Sequence, residues 1–157
     1  MTKSVYLDTT IPSYYYEERP ELVLHREITC LWWDEEKPRY DVYVSEMVLM
    51  ELNRGDYPHK TQILQLVSEL PVLETPDEVA DIVRVYIEQN IMPKTDLGDA
   101  FHLALAAYHK IDFLLTWNCK NLANANKFSR IRLINMQLGL FIPQIITPEQ
   151  LFEEGDE

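Results

Sequence analysis

Apolar residues along this chain follow two rhythms that alternate: short unbroken runs, and longer stretches with helical spacing. Val5, Tyr6 and Leu7 form a run with no polar interruption, which predicts a strand buried on both faces. Residues 42–44 and 112–116 repeat that pattern, and residues 145–146 supply one more short candidate. Between the runs, residues 11–16 predict a short helix with Pro12 in its first turn, where a missing amide proton does no harm. Residues 21–36 carry Leu24, Ile28, Leu31 and Trp32 at helical spacing and predict a second helix ending before Pro38. Ser45 is placed to cap a helix over 46–53 that stops at Gly55. Residues 58–69 and 76–90 predict two more helices, the latter with an apolar stripe of Val79, Ile82, Val83, Tyr86 and Ile87. Residues 70–73 between them are a short strand or a link. The clearest helix covers residues 96–110.

Strands alternating with helices predict an α/β fold with a mainly parallel sheet covered by helices on both faces. Such sheets bind ligands in the crevice outside the carboxyl ends of their strands. Asp8 follows the first strand, while Thr116, Trp117 and Asn118 follow a later one, so both loops should open on the same edge.

Four carboxylates border segments that must be buried. Asp8 closes the first apolar run, Glu51 interrupts Met47, Val48, Leu49, Met50 and Leu52, and Asp96 and Asp99 open an alanine-rich helix. Burying an unpaired carboxylate costs several kcal/mol or forces it to take up a proton, so such acids need a cation or strong donors nearby. With Asp99 at zero on a helical wheel, Ala100, Ala104, Ala107 and Ile111 centre roughly 100–120° away and Asp96 falls near about 60°. Both aspartates therefore flank the buried face. His102 and His109 fall near about 300° and 280°, which predicts that they face solvent, with a role near the substrate as the lesser reading for His102, one turn from Asp99. Each acid also has a plain structural alternative. Asp8 can start a turn and cap a helix, Glu51 can pair with Arg54, and Asp96 or Asp99 can complement a helix dipole. Together they read as a divalent metal site.

At 157 residues the chain suits one domain with a real core. Residues 1–147 are expected to form that domain, with a terminal helix and acidic tail over 148–157. No stretch approaches the roughly 20 apolar residues of a membrane span, and the first residues lead straight into a strand rather than a cleavable signal. Cys30 and Cys119 lie far apart and show no zinc-type pairing with the four histidines. A cytoplasmic protein is the expectation. The net charge of −12, from 14 basic against 26 acidic residues, opposes phosphate binding by basic side chains. Any nucleic acid must be met by metal or by a local patch. Lys120, Lys127, Arg130 and Arg132 are the candidate patch, with a solvated helix face as the alternative.

Leu7-Asp8-Thr9-Thr10, Met50-Glu51-Leu52-Asn53-Arg54-Gly55, Asp99-Ala100-Phe101-His102-Leu103-Ala104 and Leu114-Leu115-Thr116-Trp117-Asn118 resemble, in order and approximate spacing, the motifs of the PIN-domain ribonucleases. That family includes the VapC toxins of bacterial toxin–antitoxin pairs. The resemblance runs from Val5 to about Ile146 and implies a three-layer α/β/α sandwich. It also implies an endoribonuclease that uses Mg²⁺ or Mn²⁺ and leaves 5′-phosphate and 3′-hydroxyl ends. By matched position Asp8, Glu51 and Asp99 are the catalytic acids and metal ligands, with Asp96 as an added ligand or outer-sphere group. Thr9, Thr116 and Asn118 are the candidates to support the acids or meet substrate. Many members carry an aspartate where this chain has Asn118; the loss of that charge favours one firmly bound ion. An RNA substrate, a cognate antitoxin and a homodimer are the implied partners.

Two other classes fit parts of the pattern. A haloacid-dehalogenase-type phosphatase wants a second aspartate two residues after the first, and Thr10 stands there. A PIN-like domain without catalysis, serving as a binding module, is consistent with Asn118 and the net acidity. Tyr14, Tyr15 and Tyr16 are either base-stacking or core residues. Trp32 and Trp33 are adjacent on a helix, which predicts that one is exposed or covered by another subunit.

Overall fold

The computed structural model of the protein describes residues 2–153. Its strands are β1 (Ser4–Leu7), β2 (Asp41–Ser45), β3 (Val72–Leu73), β4 (Phe113–Leu115) and β5 (Gln144–Ile146). All pair in parallel, in the order β3-β2-β1-β4-β5. Helices α1 (Thr10–Tyr15) and α2 (Val23–Leu31) join β1 to β2. Helices α3 (Glu46–Asn53) and α4 (Lys60–Val67) join β2 to β3. From there α5 (Asp77–Glu88) and α6 (Leu97–Tyr108) lead to β4, and α7 (Ala125–Gln137) leads to β5. The first two connections step one way from β1 and the later ones return to its other side, so right-handed crossovers place helices on both faces. The result is the expected three-layer α/β/α sandwich.

The sheet's centre is fully desolvated: Val5, Tyr6, Leu7, Leu114 and Leu115 are all buried. Ser45 ends β2 in extended conformation and accepts the Val48 N–H through its side chain, starting α3 as its position predicts. Because the chain leaves β1 toward β2 and comes back to β4, the topological switch lies between β1 and β4. Their carboxyl ends deliver Asp8 and Thr116 to one crevice.

Three expectations change. The helix over 21–36 is α2 followed by a π-helical turn, Trp32–Glu36, and the wider turn lets both tryptophans find cover. Trp32 is fully buried and stacks toward Tyr40, while Trp33 is buried against Tyr15 and the Lys37 ammonium. Neither needs another subunit. Helix α7 is an element that the pattern of apolar positions does not predict. The expected terminal helix appears as a single 3-10 turn, Pro148–Gln150, and the acidic tail beyond Glu153 lies outside the described residues.

Candidate active site

Asp8 leaves the buried end of β1 and is itself 2% exposed. One carboxylate oxygen accepts from the Thr10 N–H at 3.0 Å and from the Thr10 hydroxyl; the other accepts from the Thr116 hydroxyl. Burial pushes its pKa up, aided by the Asp99 charge, and this outweighs the lowering by His102 and the threonine donors. The site holds this acid in place yet resists its negative charge.

Glu51 sits in the last turn of α3. Its Oε1 accepts from the Thr9 hydroxyl at 2.5 Å and from His102 Nε2 at 2.6 Å. Burial alone would raise its pKa, but the His102 hydrogen bond and charge, with Thr9 behind them, hold it below the usual range. The alternative of an Arg54 ion pair is not what the structure contains. His102 is 2% exposed rather than solvent-facing. The wheel misleads because α6 is covered almost all round, so its polar side faces another polar wall instead of water. His102 Nδ1 lies 2.7 Å from the Tyr6 hydroxyl, which in turn lies 2.7 Å from Ser45 Oγ. Burial lowers the imidazole pKa, but the Glu51 bond and the charges of Glu51, Asp8 and Asp99 overcome it, so the net direction is upward. An imidazolium here donates from both nitrogens.

Asp99 and Asp96 come from the start of α6. Asn118 Nδ2 and Asn121 Nδ2 each donate to Asp99 Oδ2 at 2.9 Å, and Asn121 also reaches Asp96 Oδ2 at 3.1 Å. Asp96 occupies the N-cap position without a side-chain capping bond. Burial raises the Asp99 pKa, and the Asp96 and Glu51 charges add to it against Asn121 and His102. Thr116 Oγ1, the donor to Asp8, accepts the Asn118 N–H at 2.9 Å. One hydrogen-bonded path therefore runs from Asp8 through Thr116 and Asn118 to Asp99, while Glu51 is held separately by Thr9, the residue after Asp8, and by His102.

The seven sequence-predicted positions thus fall into two hydrogen-bonded sets, Asp8, Thr116, Asn118, Asp99 and Asp96 in one and Thr9 with Glu51 in the other. His109 joins neither, since its Nε2 bonds the Glu74 carbonyl. Two members of the candidate basic patch bond backbone carbonyls, Lys127 Nζ those of Ile91 and Asn121 and Arg130 that of Gln89, while Lys120, Arg130 and Arg132 are exposed. Tyr6, Thr10, Asn121 and Gly98 are participants that sequence reasoning missed, and His102 is one it placed chiefly in solvent. His102 has the only visible signal, its place one helical turn after Asp99. At Gly98, a Cβ would fall inside normal contact with Glu51 Oε2 and 3.2 Å from Glu51 Cδ. Gly98→Ala is therefore expected to dislodge the Glu51 carboxylate and to lower stability by about 1–2 kcal/mol, the lost His102 pairing outweighing alanine's helix preference. Thermal denaturation, with a crystal structure of the variant to locate the Glu51 carboxylate, checks both halves.

The donors suit a hard dication: carboxylate oxygens surround the crevice, and no lysine or arginine forms an ion pair with them among the described residues. Three His, Cys, Asp or Glu side chains do not, however, converge into a ready ligand set among those residues. Each carboxylate rests instead on its own threonine, asparagine or histidine donors.

A parallel sheet whose switch point carries such an acidic crevice defines an α/β protein with its candidate site outside the carboxyl ends of β1 and β4. The PIN domain model matches residues 5–119, and the chain belongs to the PIN domain family. In fold it is similar to a VapBC2 complex from Rickettsia felis bound to a DNA fragment from their promoter (TM-score 0.54, 18% identity, 92% of this chain and 98% of that one). It is also similar to a toxin–antitoxin complex from Klebsiella pneumoniae (TM-score 0.59, 17% identity, 92% of this chain and 97% of that one). No curated protein matches the chain at a significant level. No helix among the described residues is long and apolar enough to cross a membrane.

Proposed function

We propose that this chain is a metal-dependent endoribonuclease that cleaves RNA phosphodiesters, the toxin of a toxin–antitoxin pair acting in the cytoplasm. The observation that carries the reading is the three acids Asp8, Glu51 and Asp99 held by hydrogen bonds at the switch point, with no lysine or arginine paired to any of them among the described residues. Asp8 and Asp99 would hold Mg²⁺ or Mn²⁺, with Asp96 in reach as an outer-sphere partner. When bound, the ion supplies an acidified water and neutralises charge developing on the phosphate. Glu51, its carboxylate oriented by Thr9 and His102, would position the attacking water and take its proton. Thr116 and Asn118 fix the acids rather than react, since their polar atoms are already engaged with Asp8 and Asp99. The expected products carry 5′-phosphate and 3′-hydroxyl ends.

Chelation is expected to abolish cleavage, and Mg²⁺ or Mn²⁺ at about 100 times its Kd should stabilise the protein by about 2.7 kcal/mol. A labelled RNA incubated with and without EDTA, and a thermal shift with added metal, check the two parts. Specific cleavage that survives thorough chelation rules the mechanism out.

A non-catalytic binding module is the second reading, favoured by the neutral Asn118 and by the absence of a converged ligand set among the described residues. Absence of any metal shift in both wild type and Asp8→Asn would select it. For the toxin reading, we infer an antitoxin peptide over the acidic edge. An arginine reaching the carboxylates is a natural inhibitor because it brings the cation's charge in a planar, carboxylate-matching form. A homodimer and a single domain ending near Thr147 complete the proposal.

A further inference from the structure

Trp117 stands between the two residues that tie the acids together, Thr116 and Asn118, and its own contacts fix it firmly. Its N–H donates to Thr10 Oγ1 at 2.9 Å, the hydroxyl that binds Asp8, and its indole Nε1 donates to Thr29 Oγ1 at 2.8 Å. Thr29 is fully buried, so the ring is anchored to the core while remaining half-buried itself. Tyr14, one helical turn after Thr10, lies in a plane only 15° from the indole with centroids 6.2 Å apart. His25 packs its edge on the indole at 4.5 Å, and its Nδ1 is buried without a hydrogen-bond partner among the described residues. A buried polar atom with no partner calls for an explanation that packing alone does not give.

We propose that Trp117, flanked by Tyr14 and His25, is a stacking site for a nucleobase of single-stranded RNA beside the acidic crevice. The proposal rests on the nuclease reading above and deepens it. The chain has a strong negative charge, Lys127 and Arg130 each bond backbone carbonyls, and no lysine or arginine is paired with the acids among the described residues. Counterion release therefore contributes little to holding RNA. A rigid aromatic face is the alternative source of affinity, because every base has a π-face and stacking is tolerant of sequence. The half-buried indole, held in plane by Thr29 and Tyr14 beside the acids, suits a planar heterocycle.

The test is titration of a single-stranded oligoribonucleotide carrying 2-aminopurine into Asp8→Asn protein, with further substitutions made in that background. Binding should quench the probe, and Trp117→Ala should weaken it about ten-fold or more, within the range known for base–aromatic stacking, while Trp117→Phe retains most of the affinity. Kd should change little between about 50 and 200 mM salt. An unchanged Kd in folded Trp117→Ala, or equal affinity for a probe with an abasic site in place of 2-aminopurine, overturns the proposal. If Trp117→Ala does not fold, Tyr14→Ala decides: several-fold weaker binding supports the site, and an unchanged Kd sinks it. The two readings separate cleanly in otherwise wild-type protein. Trp117-dependent binding without cleavage in Mg²⁺ or Mn²⁺ removes the nuclease and leaves the stacking site. Cleavage whose KM is indifferent to Trp117→Ala removes the stacking site and leaves the nuclease.

Discussion

Asp8→Asn is expected to eliminate RNA cleavage and, at the same time, to make the metal-free protein more stable. Asp8 is buried, and both its desolvation and the nearby Asp99 charge work against its ionised form. Asparagine keeps the shape and one oxygen to accept from Thr10, while its amide can donate to a reoriented Thr116 hydroxyl. Removing the charge should therefore raise metal-free stability by roughly 0.5–2 kcal/mol, the scale of a single stabilising substitution that trades against function. Its effect on activity is far larger. A metal's charge stabilisation is worth several kcal/mol of the barrier, so losing the ligand should slow cleavage about a thousand-fold or more. Parallel measurements of cleavage rate and of thermal midpoint in EDTA check the pair. An active Asp8→Asn protein would refute the assignment of Asp8, and a destabilised one would refute the account of its burial.

His102→Ala should be the most destabilising single change in the crevice. It strips Glu51 of its charged partner and Tyr6 of its hydrogen bond in one step. Breaking a fully buried pair costs about 3–5 kcal/mol. Glu51 retains 27% side-chain exposure, so about 2–3 kcal/mol is the better expectation, or a midpoint lower by roughly 5–10 °C. The pH dependence follows from the directions of the shifts. The His102 pKa is raised, so its contribution is complete below the unfolded value of about 6.5 and is lost as pH rises through the folded one. The Glu51 pKa is lowered, so its contribution is present above the unfolded value and disappears as pH falls through the folded one. The raised carboxyls of Asp8 and Asp99 act in the same direction as His102, each weakening the fold as it ionises. In EDTA the wild-type midpoint should therefore decline from near neutrality toward alkaline pH, and His102→Ala should flatten that decline. Parallel profiles for the two proteins would remove the ion pair from consideration.

Metal binding has the opposite sign. Carboxylates must be ionised to ligate, so the stabilisation gained from Mg²⁺ should grow with pH across the range in which the metal-free protein weakens. The acidic crevice is thus least comfortable empty under the conditions in which it would bind a cation best.

Much of this architecture was legible from local pattern. The strand at Val5–Leu7, the cap at Ser45 and the helix bearing Asp99 follow from periodicity and capping chemistry, which act within a few residues. Asp8, Glu51 and Asp99 stood out because a carboxylate beside a buried run demands compensation wherever the run ends up. Helix α7 escaped notice because Phe128, Leu133 and Met136 face outward and blur its apolar stripe. The two tryptophans were misjudged because a helical wheel assumes regular α-geometry, whereas a π-turn rotates successive residues differently.

By itself the sequence determined which segments must be buried, their alternation between strand and helix, and which acids would sit awkwardly at the ends of those segments. Those properties depend on neighbours along the chain. Only the tertiary structure decided that His102 turns inward to Glu51 and Tyr6, that Asn118 and Asn121 hold Asp99, and that Gly98 leaves room for a carboxylate from another helix. These relations join residues up to about a hundred positions apart, and what faces a side chain is set by the crossovers that stack one element on another.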